Sequence, residues 1–106
     1  MIPKNKNLRD SCVKNIRLDA SNWNKRDDFY DALFLALGSP DWHGRNFNAL
    51  RDSIITGHIN RVERPFTIYI SGVDRSPSEV QQVVRNFRDL IKEFHAEGYD
   101  VDIVCE

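Results

Sequence analysis

The stretch from Phe66 to Val104, FTIYISGVDRSPSEVQQVVRNFRDLIKEFHAEGYDVDIV, decides the fold. Phe66-Thr-Ile-Tyr-Ile-Ser71 is β-branched and aromatic, and Pro65 and Gly72 bound it, which is the pattern of a strand. Ser76-Pro77-Ser78-Glu79 reads as a helix start, with an N-cap serine, a proline at N1 and a glutamate at N3 that together predict a capping box. Val80, Val83, Val84, Phe87, Leu90, Ile91 and Phe94 then keep the helical period over about four turns. Gly98 ends the helix, and Val101, Ile103 and Val104 supply a second strand. Strand, helix and strand in that order imply parallel pairing through a right-handed crossover.

Upstream, Val13-Lys-Asn-Ile-Arg-Leu18 has apolar residues at 13, 16 and 18 and reads as a strand. Asn24 is placed to cap a helix from Lys25 to about Leu37, with Asp27 and Asp28 in the first turn, where acidic groups favour the helix dipole. Phe29, Ala32, Leu33, Ala36 and Leu37 form its core stripe, and Gly38-Ser-Pro stops it. A second helix is predicted from about Asn46 to Ile55, ending near Gly57, with residues 58–65 as connector. The order is β-α-α-β-α-β, an α/β fold with a small three-stranded parallel sheet packed with helices. Residues 1–10 are polar and basic and read as a flexible arm, and residues 11–106 read as a single domain.

A chain of 106 residues, 41% hydrophobic and 29% charged, has the make-up of a globular protein with a real core. No apolar run approaches the ~20 residues of a membrane span, and the start has no apolar signal-peptide core. A cytoplasmic setting and no membrane contact are the expectation. Net charge is −1, which argues against a general nucleic-acid binder. Residues 65–106 carry eight Asp/Glu against four Lys/Arg, either a solvated helix face or an acidic surface for a basic partner. Cys12 and Cys105 are far from any CxxC or zinc spacing. In a parallel sheet they fall at opposite ends of strands roughly 17 Å long, beyond the ~7 Å Cα separation a disulfide allows. Two reduced thiols are expected.

Asp41-Trp-His-Gly-Arg-Asn-Phe-Asn-Ala-Leu-Arg-Asp52 carries the functional signal. Phe47, Leu50 and Ile54 share one helical stripe, while Asn48 and Asp52 are i, i+4 neighbours on the surface. Gly44 permits the turn from loop to helix. Trp42 and His43 put two rigid rings beside a helix that presents hydrogen-bonding groups, the make-up of a protein-binding surface. Trp42 reads either as a contact or as a core residue folded back over the loop, and Trp23 as core packing. His43 reads as an exposed loop residue, or as a contact sensitive to pH near neutrality. Asn46 sits where a helix needs its cap. Asp52 either meets a partner or pairs with Arg51 or Arg45 in solvent. Glu93 is either a solvated helix residue or a contact. His58 and His95 carry no signal. Asp41, His43 and Asp52 have no spacing that demands acid–base catalysis, and there is no glycine-rich phosphate loop, HExxH or GxSxG. The reading is of a non-enzyme without a cofactor or metal.

Trp42, Gly44, Asn46, Ala49, Leu50 and Asp52, followed later by Ala96-Glu97-Gly98-Tyr99-Asp100 and an apolar strand, resemble the barstar-like family of ribonuclease inhibitors. The resemblance runs from about Val13 to Cys105. It implies an intracellular inhibitor, monomeric when free, that occludes the active site of a ribonuclease or related toxin through residues 41–52. Carboxylates in that family stand in for phosphates of the substrate, so no direct nucleic-acid contact is implied. The cationic cleft of a nuclease supplies charge-assisted hydrogen bonds to them. By the resemblance Asp52 is the central inhibitory aspartate, Trp42 the loop aromatic, Gly44 the turn glycine and Glu93 a peripheral acid. Asn48 stands where the family's namesake has a second helix aspartate, Arg51 where it has tryptophan, Arg45 where it has glutamate and His43 where it has a second loop tyrosine. The partner-binding set is therefore Trp42, His43, Gly44, Asn48, Arg51, Asp52 and Glu93. These departures fit a different ribonuclease or toxin. They also leave open a non-inhibitory interaction module with another partner, or direct RNA contact through Arg45, Arg51, Arg61 and Arg64.

Overall fold

The computed structural model describes residues 13–106, so the expected arm and Cys12 lie outside the described residues. Three strands form one sheet in the order β1-β2-β3, with β1 Lys14–Asp19, β2 Phe66–Ser71 and β3 Val101–Cys105. Both pairings are parallel, with Ile16 opposite Ile68 and Ile68 opposite Ile103. Helix α1 is Arg26–Leu37, α2 begins as Phe47–Arg51 and α3 is Ser78–Ala96. This is the predicted order.

The topology explains a one-sided core. Sequential parallel strands joined by crossovers of the same hand put every helix on one face. Ile16, Leu18, Phe66, Ile68, Ile70, Val101 and Ile103 point into that face and are buried. Their neighbours alternate outward, as the period of two requires. On the open face the Arg17 guanidinium lies 4.3 Å from the centre of the Tyr69 ring. Across the core, α3 buries all seven residues of its predicted stripe, from Val80 to Phe94. Phe29 packs edge-on against Phe87 at 5.2 Å, joining α1 to α3. Each such side chain contributes on the order of 1.5–3 kcal/mol by leaving water. Trp23 is also core, 8% exposed.

Helix ends depart from expectation in an instructive way. Helix α3 starts at Ser78, with Pro77 at the N-cap, so the predicted capping box does not form. The Ser76 hydroxyl instead donates to Ala20 O at 2.7 Å, where it satisfies a buried carbonyl. The Glu79 carboxylate accepts from Arg26 N–H at 3.0 Å and so serves the start of α1. At that start Lys25, not Asn24, is the N-cap. Asp28 reaches back to accept from the N–H groups of both Asn24 and Lys25, at 2.8 and 3.2 Å. A local cap motif is a competition among orphan donors, and tertiary packing brought a second helix into it. The C-terminal prediction for α1 holds, since Gly38 takes the left-handed conformation at φ 66°. β1 is shifted by one residue from the expected Val13–Leu18, leaving Val13 exposed.

Candidate functional site

The loop between α1 and α2 is tied down at its base and near its tip. At the base, Arg61 N donates to Gly38 O at 3.2 Å, Val62 N to Leu37 O at 3.0 Å, and the Ser39 hydroxyl to Asn60 Oδ1 at 2.6 Å. Among the described residues, Asn60 Nδ2 is the buried side-chain polar atom without a partner. Near the tip His43 turns inward. It is 7% exposed, correcting the expectation of an exposed loop residue. Its Nδ1 lies 2.8 Å from Gly44 O and its Nε2 2.8 Å from Ser53 Oγ. Its ring sits 4.4 Å from that of Phe34 on α1.

Trp42 is left pointing out. It is 74% exposed, so the core alternative for it is overturned. Gly44 is not among the positive-φ glycines. What glycine provides there is space, because a Cβ would lie 3.0 Å from Asn46 Nδ2 and 3.3 Å from Ala49 Cβ. Asn46 caps α2 as expected, its side chain accepting from Ala49 N–H at 2.8 Å. Leu50 and Ile54 are buried and Phe47 partly so, fixing the inner stripe of α2. Asn48, Arg51 and Asp52 are exposed on its outer side.

Helix α2 is predicted as α-helical to Ile55 but changes character at Arg51. Residues Asp52–Thr56 form a π turn, closed by a bond from Gly57 N to Asp52 O at 3.2 Å. Arg64 braces this turn. Its Nε donates to Ile54 O at 3.2 Å and its Nη2 to Ile55 O at 3.4 Å. Its Nη1 meets Asp100 at 2.8 Å. The π turn, Arg64 and Ser53 had no sequence signal, because each acts through a partner distant in the chain. π turns within helices recur at functional sites.

Arg45 folds back onto α1, contacting Asp31 and lying 3.6 Å from Asp27. The hydrogen bond to Asp31 raises the Arg45 pKa. Arg51 reaches Glu93 on α3 at 3.4 Å and lies over Phe94 at 5.0 Å. Arg45 and Arg51 are thus engaged elsewhere, and neither forms the solvent pair with Asp52 that is one of its two readings in sequence. Among the described residues Asp52 has no ion-pair partner. Asp27, Asp31 and Glu93 share Arg45 and Arg51, while Asp41, like Asp52, has no ion-pair partner among the described residues.

Trp42, His43, Gly44, Ala49, Asp52 and Ile59 wall one shallow pocket of about 90 Å³. An exposed aromatic and an unpaired carboxylate therefore meet at one small depression, while Glu93 stands further out, tied to Arg51. Among the described residues no group of His, Cys, Asp and Glu is arranged to hold a metal ion. No described helix is long and apolar enough to cross a membrane.

On this one-sided α/β fold, the exposed Trp42 and the unpaired Asp52 thus share one small surface depression. The family described as Barstar (barnase inhibitor) matches residues 13–106, nearly the whole chain, and the protein belongs to that family. Comparison with curated proteins returns no match.

Proposed function

We propose that this protein binds a ribonuclease or related nuclease toxin and occludes its active site through residues 41–52. The observation that carries the reading is the shared pocket of Trp42 and Asp52, with the Asp52 carboxylate free of any cation among the described residues. A free carboxylate on a braced helix can accept charge-assisted hydrogen bonds from the arginines and lysines of a phosphate-binding cleft. The unpaired Asp41 and Asp52 carboxylates favour encounter with such a cleft. Trp42 supplies rigid area at low entropic cost. Asn48 and Arg51 shape the margin of the contact, and the protein acts within the cell as a monomer until it meets its target. A pull-down from source-cell lysate tests this, with a ribonuclease assay on the retained protein. Retention of a ribonuclease that is silent while bound supports the reading.

A second reading is an interaction module that does not inhibit. It is favoured by one feature, the use of Glu93 to neutralise Arg51, which removes a peripheral acid from the surface. A retained partner with undiminished nuclease activity selects it. Of the four arginines read for direct RNA contact, Arg45, Arg51 and Arg64 are each paired with an acid of the fold, and Arg61 is exposed.

A further inference from the structure

We propose that His43 is a positioning residue of the 41–52 surface, a buried clamp that holds Trp42 outward. The inference rests on the binding role proposed above only for what Trp42 is used for.

The geometry overturns the reading of His43 as an exposed loop residue. It is 7% exposed while Trp42, its chain neighbour, is 74% exposed. A carbonyl oxygen only accepts hydrogen bonds, so the contact of Nδ1 with Gly44 O requires the proton on Nδ1. Nε2 then either accepts from the Ser53 hydroxyl or, carrying a second proton, donates to it. Ser53 is itself buried, 1% exposed, and its hydroxyl also donates to Leu50 O at 3.3 Å whenever His43 does not take its proton. One ring thus joins three pieces of chain: the loop through Gly44, the π turn through Ser53 and α1 through the face of Phe34.

The residue type follows from these demands. A phenylalanine would fill the space against Phe34 but would leave the Ser53 hydroxyl and the Gly44 carbonyl without this partner. A flexible amide would meet them without the rigid ring. Histidine offers a donor and an acceptor on opposite edges of one plane. The backbone adds a further tie, with His43 N donating to Pro40 O at 3.0 Å. With His43 fixed from both sides, Trp42 has one direction left, which is outward. Ordering of the loop is completed on folding and need not be met again on binding.

The test uses the free, full-length protein and needs no partner. Backbone and indole ¹⁵N heteronuclear NOEs are measured at Trp42 and Trp23 in wild type, Ser53→Ala and His43→Phe. The imidazole ¹⁵N shifts of His43 are read in wild type. The expected result is the Nδ1–H form in wild type, with the NOE at Trp42 falling in both variants and that at Trp23 unchanged. His43→Phe keeps an aromatic ring against Phe34 and Ser53→Ala leaves the ring itself intact, so a fall common to both variants reports the lost hydrogen bonds and not a change of packing. An unchanged NOE at Trp42, or an equal fall at both tryptophans, overturns the proposal, as does a proton on Nε2 with Nδ1 bare. If no ribonuclease is ever found to bind, these measurements still decide the clamp.

Discussion

Arg51 and Glu93 face each other across 3.4 Å between α2 and α3, and this contact sets the charge of the surface around Asp52. In sequence Arg51 stands next to Asp52 and looks like its neutraliser. In the fold its guanidinium points away, over Phe94, and spends its charge on Glu93. Both side chains are about half exposed, so the pair contributes under about 1 kcal/mol to stability.

Arg51→Ala is therefore expected to leave the thermal midpoint nearly unchanged while adding one net negative charge to the binding surface. Association with a cationic ribonuclease should quicken, and more at low salt than at high salt, since exposed charges are screened over about 8 Å at physiological ionic strength. Stopped-flow association rates at two ionic strengths check this. A slower rate would mean that Arg51 makes an attractive contact of its own.

The two tryptophans should separate stability from binding. Trp23 is 8% exposed and Trp42 74% exposed. Trp23→Ala is expected to cost about 3–5 kcal/mol in urea unfolding, the range for large-to-small core changes. Trp42→Ala should stay within about 0.5 kcal/mol, as surface changes do, yet weaken ribonuclease binding. Iodide quenching of the single-tryptophan variants gives an independent check, with Trp42 the accessible one.

Arg64→Ala should act on the site from behind. It removes the donors to Ile54 O and Ile55 O and the contact with Asp100. A loss of about 1–3 kcal/mol is expected, the cost of leaving such groups unpaired. Amide exchange should rise first at residues 52–57. Uniform acceleration across β2 and α3 would show that Arg64 supports the whole fold and not the π turn.

Much of the fold could be read in the sequence because its signals were local and repeated. The stripe of α3 survives every detail of packing because seven apolar residues agree on one face. The caps could not be read so well. Glu79 was paired with Ser76 by spacing, but the nearest orphan donor in space belongs to Arg26, 53 residues earlier. At the site, Asn48 and Asp52 lie on the surface as their helical spacing required, whereas Trp42 is open between surface and core in sequence and proves exposed. His43 did not, since inward and outward loop residues have the same sequence signature until Ser53 and Phe34 are placed. Gly44 was read as a backbone requirement and proves to be a spatial one.

Acid should loosen the fold at a defined place. Bonds from the Asn24 and Lys25 N–H groups lower the Asp28 pKa, and the Lys92 ammonium lowers that of Asp102. A carboxylate whose folded pKa lies below its unfolded value stabilises the fold above the unfolded value and loses that contribution as pH falls through the folded one. Stability should therefore hold at neutral pH and decline below the ordinary aspartate value of 3.8. In Asp28→Asn the decline should be shallower, which urea midpoints across pH 2–6 would show, roughly the range in which carboxylates titrate.

The central claim is that Asp52 is the group placed in a ribonuclease active site. Its most direct test is an inhibition titration of the retained ribonuclease with wild type and Asp52→Ala, with thermal midpoints measured alongside. The account predicts stoichiometric inhibition by wild type and a loss of affinity of about tenfold or more in the variant, as expected for hydrogen bonds to a charged group, at an unchanged midpoint. Equal inhibition by both proteins would contradict it.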